Sequence, residues 1–208
     1  RYKAMFRGTF YRRFVLGEWA AAEGLVYDFF GPELVQPVPE SLDGPWYISC
    51  DYGTVNPTSM GLWGQKGGVW YRTAEFYYDS RKTGRQQTDG EYADDLARLA
   101  GGRDIRGVVL DPSAASFREE LIRRGWTVYR AENEVLSGIR RTAELLRAGQ
   151  LVVCAPCGDA IREFGLYRWD TAATGDRVVK EHDHAMDDIR YFAVTVAGRR
   201  SEGFFAGA

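Results

Sequence analysis

The sequence predicts an α/β protein built on a sheet of mixed strand direction with helices on both faces. Three runs rich in aromatic and β-branched residues follow one another from Trp46 with only short turns between them, which reads as an antiparallel meander. Beyond them, short apolar runs alternate with segments of helical periodicity, the pattern of crossover units. The chain is long enough for a substantial core: 208 residues, 45% hydrophobic and 27% charged, an ordinary globular composition.

Taken in order, the chain opens on "RYKAMFRGTFYRRFVLGEW", with no methionine at its start and five Arg or Lys among the first thirteen residues. It reads as the continuation of something longer. "AAEGLVYDFF" comes next, then "GPELVQPVPESLDGPW", so rich in proline and glycine that it reads as a linker. A domain boundary near residue 44 follows, with a lead-in segment at 1–43, a folded domain at 44–198 and a short tail at 199–208. "WYISCDYG", "TSMGLWGQ" and "GVWYRTAEFYY" are the three meander strands, the last two separated only by "KGG". "DGEYADDLARLAG" carries Tyr92, Leu96 and Leu99 at helical spacing and stops at Gly101-Gly102. Val108 to Leu110 form a buried strand that Pro112-Ser113 turns into the helix "ASFREELIRRG". "WTVYRA" reads as strand, "LSGIRRTAELLRAG" as a helix closed by Gly149, "LVVCAP" as strand and "GDAIREFGLYRW" as helix.

Composition excludes several classes. No run of about 18 apolar residues exists to cross a membrane, and no signal-peptide pattern is present, so a soluble protein without a membrane partner is expected. Three cysteines, Cys50, Cys154 and Cys157, fit a reducing compartment. The lone C-x-x-C at 154–157 has no second pair and reads as buried or half-buried thiols rather than a zinc site. The net charge of −2 argues against a generally basic nucleic-acid protein, although charge distribution matters more than its sum. No G-x-x-x-x-G-K-[ST] loop occurs, so this stretch is not expected to hydrolyse ATP by itself.

Three carboxylates stand out once the elements are placed. Asp51 ends the first meander strand, where alternation puts Tyr47 and Ser49 on its face and Trp46, Ile48 and Cys50 on the other. Asp111 ends the strand after the first long helix, and functional groups of open α/β sheets collect at such strand ends. If these strands are neighbours, the two acids meet at one edge of the core. The third lies in "EHDHAMDDIRYF", residues 181–192, where seven ionisable side chains fall in the first ten positions while Met186, Ile189 and Phe192 recur at helical spacing. Asp183 reads as an N-cap. Asp187 lies about a turn further in, beside the apolar stripe, and a late helix can carry it to the other two. Converging carboxylates repel unless cations sit between them. Hard oxygen ligands select Mg²⁺ or Mn²⁺, and two such ions about 3.5–4 Å apart activate a water and stabilise the leaving oxygen of a phosphodiester. Each acid also reads as a turn or cap residue, and spacing leaves both readings open.

Acids on the first strand, on the strand after the first helix and on a late helix resemble the ribonuclease H-like fold. More narrowly, the sequence is similar to the C-terminal nuclease domain of the terminase large subunit of tailed double-stranded DNA bacteriophages and prophages. "FVLGEWAAAEGLVYDFF" resembles the segment that leaves the ATPase domain in that family. "CDYGTVNPTS" resembles its first-strand motif, "VVLDPSAASF" its second and "EHDHAMDDIRY" its third; "AENEVLSGIR" and "LYRWD" are similar to the stretch between. The resemblance covers nearly the whole chain. It implies Asp51, Asp111 and Asp187 as ligands of two divalent cations, Mg²⁺ or Mn²⁺, in an endonuclease that cuts concatemeric viral DNA at initiation and termination of genome packaging. It implies double-stranded DNA, an ATPase domain of the same full-length chain, the terminase small subunit and the procapsid portal as partners. The setting implied is the cytoplasm of the bacterial host, transiently at the portal. The family pattern D-H-x-x-D-A-x-R-Y has alanine where this chain has Asp188. Asp187 is taken as the main ligand, with Asp188, about 100° further round the helix, reaching the site only through a water or a second metal position.

Around this centre, His184 lies three residues before Asp187 on nearly the same helix face, placed to orient that carboxylate, protonate a leaving group or touch a metal. Lys180 is a candidate to neutralise phosphate charge, and Arg190 to brace the acids by an ion pair. Arg81, Lys82 and Arg85 surround Gly84 in what reads as a flexible loop, suited to phosphate contact without sequence reading. Two other classes fit parts of the pattern: a junction resolvase or transposase core with the same metal chemistry, and a non-catalytic docking module whose acids serve as caps.

Overall fold

A computed structural model describes residues 24–198; the basic opening stretch before residue 24 and the tail at 199–208 lie outside the described residues. Among the described residues seven strands form one sheet: β1 (Val35–Gln36), β2 (Trp46–Asp51), β3 (Thr58–Lys66), β4 (Val69–Tyr78), β5 (Ile105–Leu110), β6 (Val128–Arg130) and β7 (Leu151–Cys154), in the order β1-β7-β4-β3-β2-β5-β6. The expected meander is β2–β3–β4, antiparallel throughout, and its β3–β4 turn passes through Gly67 and Gly68, both at the positive φ that a tight reversal needs. β5 pairs parallel with β2 and β6 with β5; on the other side β7 pairs parallel with β4 and β1 with β7.

The α-helices of the described residues are α1 (Ser80–Thr83), α2 (Asp89–Ala100), α3 (Ala115–Arg123), α4 (Val135–Arg147), α5 (Gly158–Phe164) and α6 (His184–Phe192), the last continued by one π-helical turn, Ala193–Ala197. Strand alternation divides them between two cores. Ile48 and Cys50 of β2 pack with Met60, Leu62, Val108 and Leu110 under Tyr92 and Leu96 of α2 and Phe117 and Leu121 of α3. On the opposite face Trp63, Trp70 and Val153 meet Ile139 of α4, Phe164 of α5 and the Met186–Ile189–Phe192 stripe of α6. Helix α2 starts where its sequence says it should: Thr88 and Glu91 exchange side-chain and backbone hydrogen bonds in a capping box, and Gly101 ends it in the left-handed conformation.

Four local expectations are revised. The boundary near residue 44 does not mark the edge of this unit, because Leu25, Tyr27 and Phe30 are buried, Phe30 stacks on Phe164 at 3.8 Å, and Val35–Gln36 adds the edge strand β1 to the sheet. Prolines flank that two-residue strand and leave it no periodicity to read. The helix read over 158–169 ends at Phe164; Arg168 and Trp169 instead form antiparallel bridges to Leu25 and Val178. The loop around Gly84 is an ordered turn. Asp79 caps α1 through Arg81 N (3.1 Å) and Lys82 N (3.4 Å), with Gly84 left-handed at its end. Finally, Asp183 sits at the start of α6 but makes no side-chain cap; in its place Glu163 accepts the N–H of Ala185, 22 residues further along the chain, at 2.7 Å. The three cysteines are free and buried, as expected. Among the described residues no helix is long and apolar enough to cross a membrane.

Candidate active site

The site is assembled at one edge of the sheet. Parallel pairing brings Cys50 opposite Leu110, and Asp111 N donates to Cys50 O at 3.3 Å, so Asp51 and Asp111 end adjacent strands side by side. Helix α6 lies across the sheet and brings Asp187 to the same edge. All three acids line one cleft of ≈560 Å³, together with His184, Lys180, Arg81 and Lys82. A hollow of similar size, ≈540 Å³, opens around Tyr47, Trp70 and Arg141 at the other end of β2, and no carboxylate lines it. Asp51, Asp111 and Asp187 are found together in the first cleft.

Each acid has a different partner. Asp51 Oδ2 lies 2.8 Å from His184 Nδ1, so the histidine serves the first-strand acid and not Asp187. Asp187 accepts from Arg190 (Nη2 at 3.0 Å, Nε at 3.3 Å) and from Lys180 Nζ at 3.4 Å, which makes Arg190 a brace of the cluster, as its place in the motif suggests. Asp111 takes the Ser113 N–H on one oxygen at 2.8 Å and the Tyr191 hydroxyl on the other at 3.4 Å. Its turn role and its place in the cleft coexist on one side chain.

Asp188 stands apart. It is wholly buried, does not line the cleft, and accepts from Ser49 Oγ at 2.8 Å, from Ser59 Oγ, and from both terminal nitrogens of Arg72, one of them at 3.0 Å. The expectation that it reaches the site at second hand is corrected. The 100° step along α6 that sends Asp187 to the cleft sends Asp188 down onto the sheet. Arg85 is likewise outside the cleft, paired with Glu91, whereas Arg81 and Lys82 are on its rim, Arg81 donating to Asn56 Oδ1 at 2.6 Å. Three contributors carried no local signal: Tyr77 and Arg162 line the cleft, and buried Glu163 joins the Tyr77 hydroxyl (2.6 Å) to the first turn of α6.

Burial pushes the Asp51 carboxyl up to about 7; the His184 hydrogen bond opposes that shift and the charges of Asp187 and Asp111 add to it. Burial works against a charged His184, but the hydrogen bond and charge of Asp51 outweigh it and raise the imidazole above its usual value. Tyr191 is raised by burial and then by all three acids, so it stays a neutral donor. The acids therefore sense one another across the cleft. Among the described residues, no three His, Cys, Asp or Glu side chains stand close enough together to hold a metal ion as arranged. The donor chemistry nonetheless suits a hard cation: carboxylate oxygens from three elements face one cleft, and burial together with the charges of Asp187 and Asp111 raises Asp51. Arg190 occupies Asp187 Oδ1 and Lys180 occupies Oδ2, so a cation taking Oδ2 would displace Lys180 and leave Arg190 in place.

These shifts fix a pH trend for the metal-free protein. Asp51 is raised on folding, so the folded state retains a proton above pH 4 that the unfolded chain has lost, and this stabilisation disappears as pH rises through about 7. The raised His184 contributes below its unfolded value of 6.5 and loses that contribution as pH rises further. The two side chains lie 2.8 Å apart and titrate as one pair, with the same sign. In EDTA the melting temperature is expected to drop by several degrees from pH 6 to pH 8, at about 2–4 °C per kcal/mol, and Asp51→Asn should remove most of the slope. A flat profile in the parent chain would contradict the protonated Asp51.

A mixed sheet of this order, with carboxylates ending two adjacent parallel strands and a third on a C-terminal helix, has the ribonuclease H-like fold. Comparison with known proteins agrees: the large terminase of a thermophilic bacteriophage, solved in complex with ADP, is 43% identical over 94% of this chain and 50% of its own, with a TM-score of 0.81. The chain belongs to the large terminase family and corresponds to its nuclease domain. It spans about half the length of the large terminases it matches. Two nuclease domains share the fold at low identity. That of the P22 large terminase is 18% identical over 83% of this chain and 92% of its own, with a TM-score of 0.66. That of thermophilic phage G20c with bound magnesium is 16% identical over 84% and 98%, with a TM-score of 0.62. No family model and no curated protein matches the chain.

Proposed function

We propose that this chain is a divalent-metal-dependent endonuclease that cuts concatemeric double-stranded viral DNA at the start and end of genome packaging. The convergence of Asp51, Asp111 and Asp187 on one cleft carries the reading, and relatives with bound magnesium and cobalt support the choice of ion. Asp51, Asp111 and Asp187 would hold two Mg²⁺ or Mn²⁺ ions, which supply an activated water and charge stabilisation at the leaving oxygen. The chain's own groups orient this centre. His184 steadies Asp51, Tyr191 donates to Asp111, and Arg190 holds Asp187 at the cleft wall. Lys180, exposed at the rim and shared between Asp183 and Asp187 at 3.4 Å each, is free to turn to a phosphate once a cation takes its place. The ATPase domain of a longer chain, the small subunit and the portal are the partners that packaging requires, and the host cytoplasm is its setting.

The test is plasmid cleavage by this chain. Nicking and linearisation are expected with Mn²⁺ or Mg²⁺, little turnover with Ca²⁺, whose looser coordination positions a water poorly, and none in EDTA; undiminished cutting in chelator would remove the metal reading. The rim cations give a separate prediction. Each phosphate contact adds about 0.9 to the slope of log affinity against log salt, so Arg81→Ala with Lys82→Ala should flatten that slope by about 2 in a binding titration with Ca²⁺. Arg85→Ala, at a residue occupied with Glu91, should leave it unchanged. Equal slopes in all three proteins would route the DNA elsewhere.

A further inference from the structure

Beneath the cleft lies a polar knot that none of the chemistry above uses. Asp188 on α6 is met by one side chain from each meander strand: Ser49 of β2 (2.8 Å), Ser59 of β3 and Arg72 of β4. Asp188 and Arg72 are both fully buried. The guanidinium also reaches Glu75 at 3.4 Å, and Glu75 accepts the first N–H groups of α5, Asp159 N at 2.6 Å and Ala160 N at 3.2 Å. Trp63 donates to Ser49 Oγ at 2.8 Å and stacks on Phe192 of α6 at 4.1 Å. Gly61 completes the seat: a Cβ there would stand 1.8 Å from Arg72 Nη1, so the guanidinium lies flat against bare backbone.

Burying two charges costs several kcal/mol in desolvation, and a well-packed apolar pair of similar volume is often as stable or more so. What the knot supplies that apolar packing does not is direction. Contacts of Met186, Ile189 and Phe192 tolerate small rotations and slides of α6, because the hydrophobic effect is not directional. A carboxylate held by a forked guanidinium and two hydroxyls is not free to turn. Asp187 is the preceding residue on the same helix, so fixing the rotation of α6 at Asp188 fixes where Asp187 points.

We propose that Arg72 and Asp188, with Ser49 and Ser59, form a positioning unit that locks the rotation of α6 on the three meander strands and so aims Asp187 at the cleft shared with Asp51 and Asp111. The inference rests on the reading that Asp187 holds a cation, and it assigns Asp188 a role at one remove from the metal. Glu75 and Glu163 extend the same logic, tying α5 and the start of α6 into the frame.

The experiment removes both charges together, as Arg72→Met with Asp188→Leu, so that no buried charge is left unpaired, and measures Mn²⁺ affinity by calorimetric titration beside a urea melt. A folded double variant should lose on the order of 10–100-fold in Mn²⁺ affinity, the usual effect of removing groups that orient metal ligands. A merely structural knot would leave affinity untouched in a folded protein, and that result would overturn the proposal. Ser59→Ala is the second probe if the double variant does not fold. It takes away one hydrogen bond to Asp188 without touching charge, and should weaken Mn²⁺ binding several-fold, rescued by Ser59→Thr; unchanged affinity overturns the proposal equally. A parent chain that binds no Mn²⁺ would instead sink the metal-nuclease reading on which the inference stands.

Discussion

Asp51→Asn, Asp111→Asn and Asp187→Asn should each lower single-turnover plasmid cleavage by about 10³-fold or more at saturating Mn²⁺. Several kcal/mol of transition-state stabilisation pass through the cation site, and every 1.4 kcal/mol is a factor of about ten in rate. An amide keeps the shape of the side chain and loses its charge, so the loss reports electrostatics and not packing. The three variants are expected to remain folded. At pH 8 without metal, Asp51→Asn should melt above the parent, because the carboxyl it replaces is held up to about 7 by burial and by its two acidic neighbours. Asp187→Asn takes the counter-charge from buried Arg190, which keeps neutral acceptors at Asn133 Oδ1 (3.2 Å) and Glu134 O (3.4 Å), so some stability is lost here while the protein stays folded. If Asp187→Asn cuts at the parent rate, the third ligand has been misassigned.

Asp188→Asn should behave in the opposite way, failing in stability before it fails in chemistry. Arg72 would remain buried with its main counter-charge gone and only Glu75, 3.4 Å away, to replace it. Breaking one partner of a buried pair costs about 3–5 kcal/mol, which in a domain of this size is a large share of the total stability. A urea melt at pH 7 should show the midpoint lowered by that energy divided by the unchanged slope, while Asp187→Asn under the same conditions falls less, because Asp187 lines the open cleft and its removal relieves repulsion from Asp51 and Asp111. A stable Asp188→Asn protein with normal unfolding would mean that the knot is looser or wetter than its geometry indicates. The contrast between two adjacent aspartates is therefore measurable on two axes, cleavage for one and unfolding for the other.

How much of this was legible beforehand depends on the range of the interaction. The meander, the crossover helices and the alternation along β2 were legible because they are written in periods of two and of about 3.6 residues. The pairing of Asp51 with Asp111 needed one further step, that their strands be neighbours, and the order of short connections made that the simplest topology. β1 was not legible, since two residues between prolines carry no pattern. Neither was the exchange of partners at His184, which spacing within α6 associates with Asp187 and the fold gives to Asp51, 133 positions away.

The sequence by itself determined the class of fold, the three strand and helix ends where acids collect, and the alternation that points Asp51 and Ser49 to one face of β2. Each follows from local periodicity, from turn chemistry or from a short run of neighbouring residues. Tertiary structure alone decided which of Asp187 and Asp188 faces the cleft, because that choice depends on Ser49, Ser59 and Arg72, which lie 139, 129 and 116 positions from Asp188. It also decided that Glu163 caps α6 and that Arg85 is occupied with Glu91 while Arg81 and Lys82 stay on the rim. The physical reason is that a buried charge is placed by whatever can compensate it. Its partners come from every strand the helix crosses, and no spacing within one element records them.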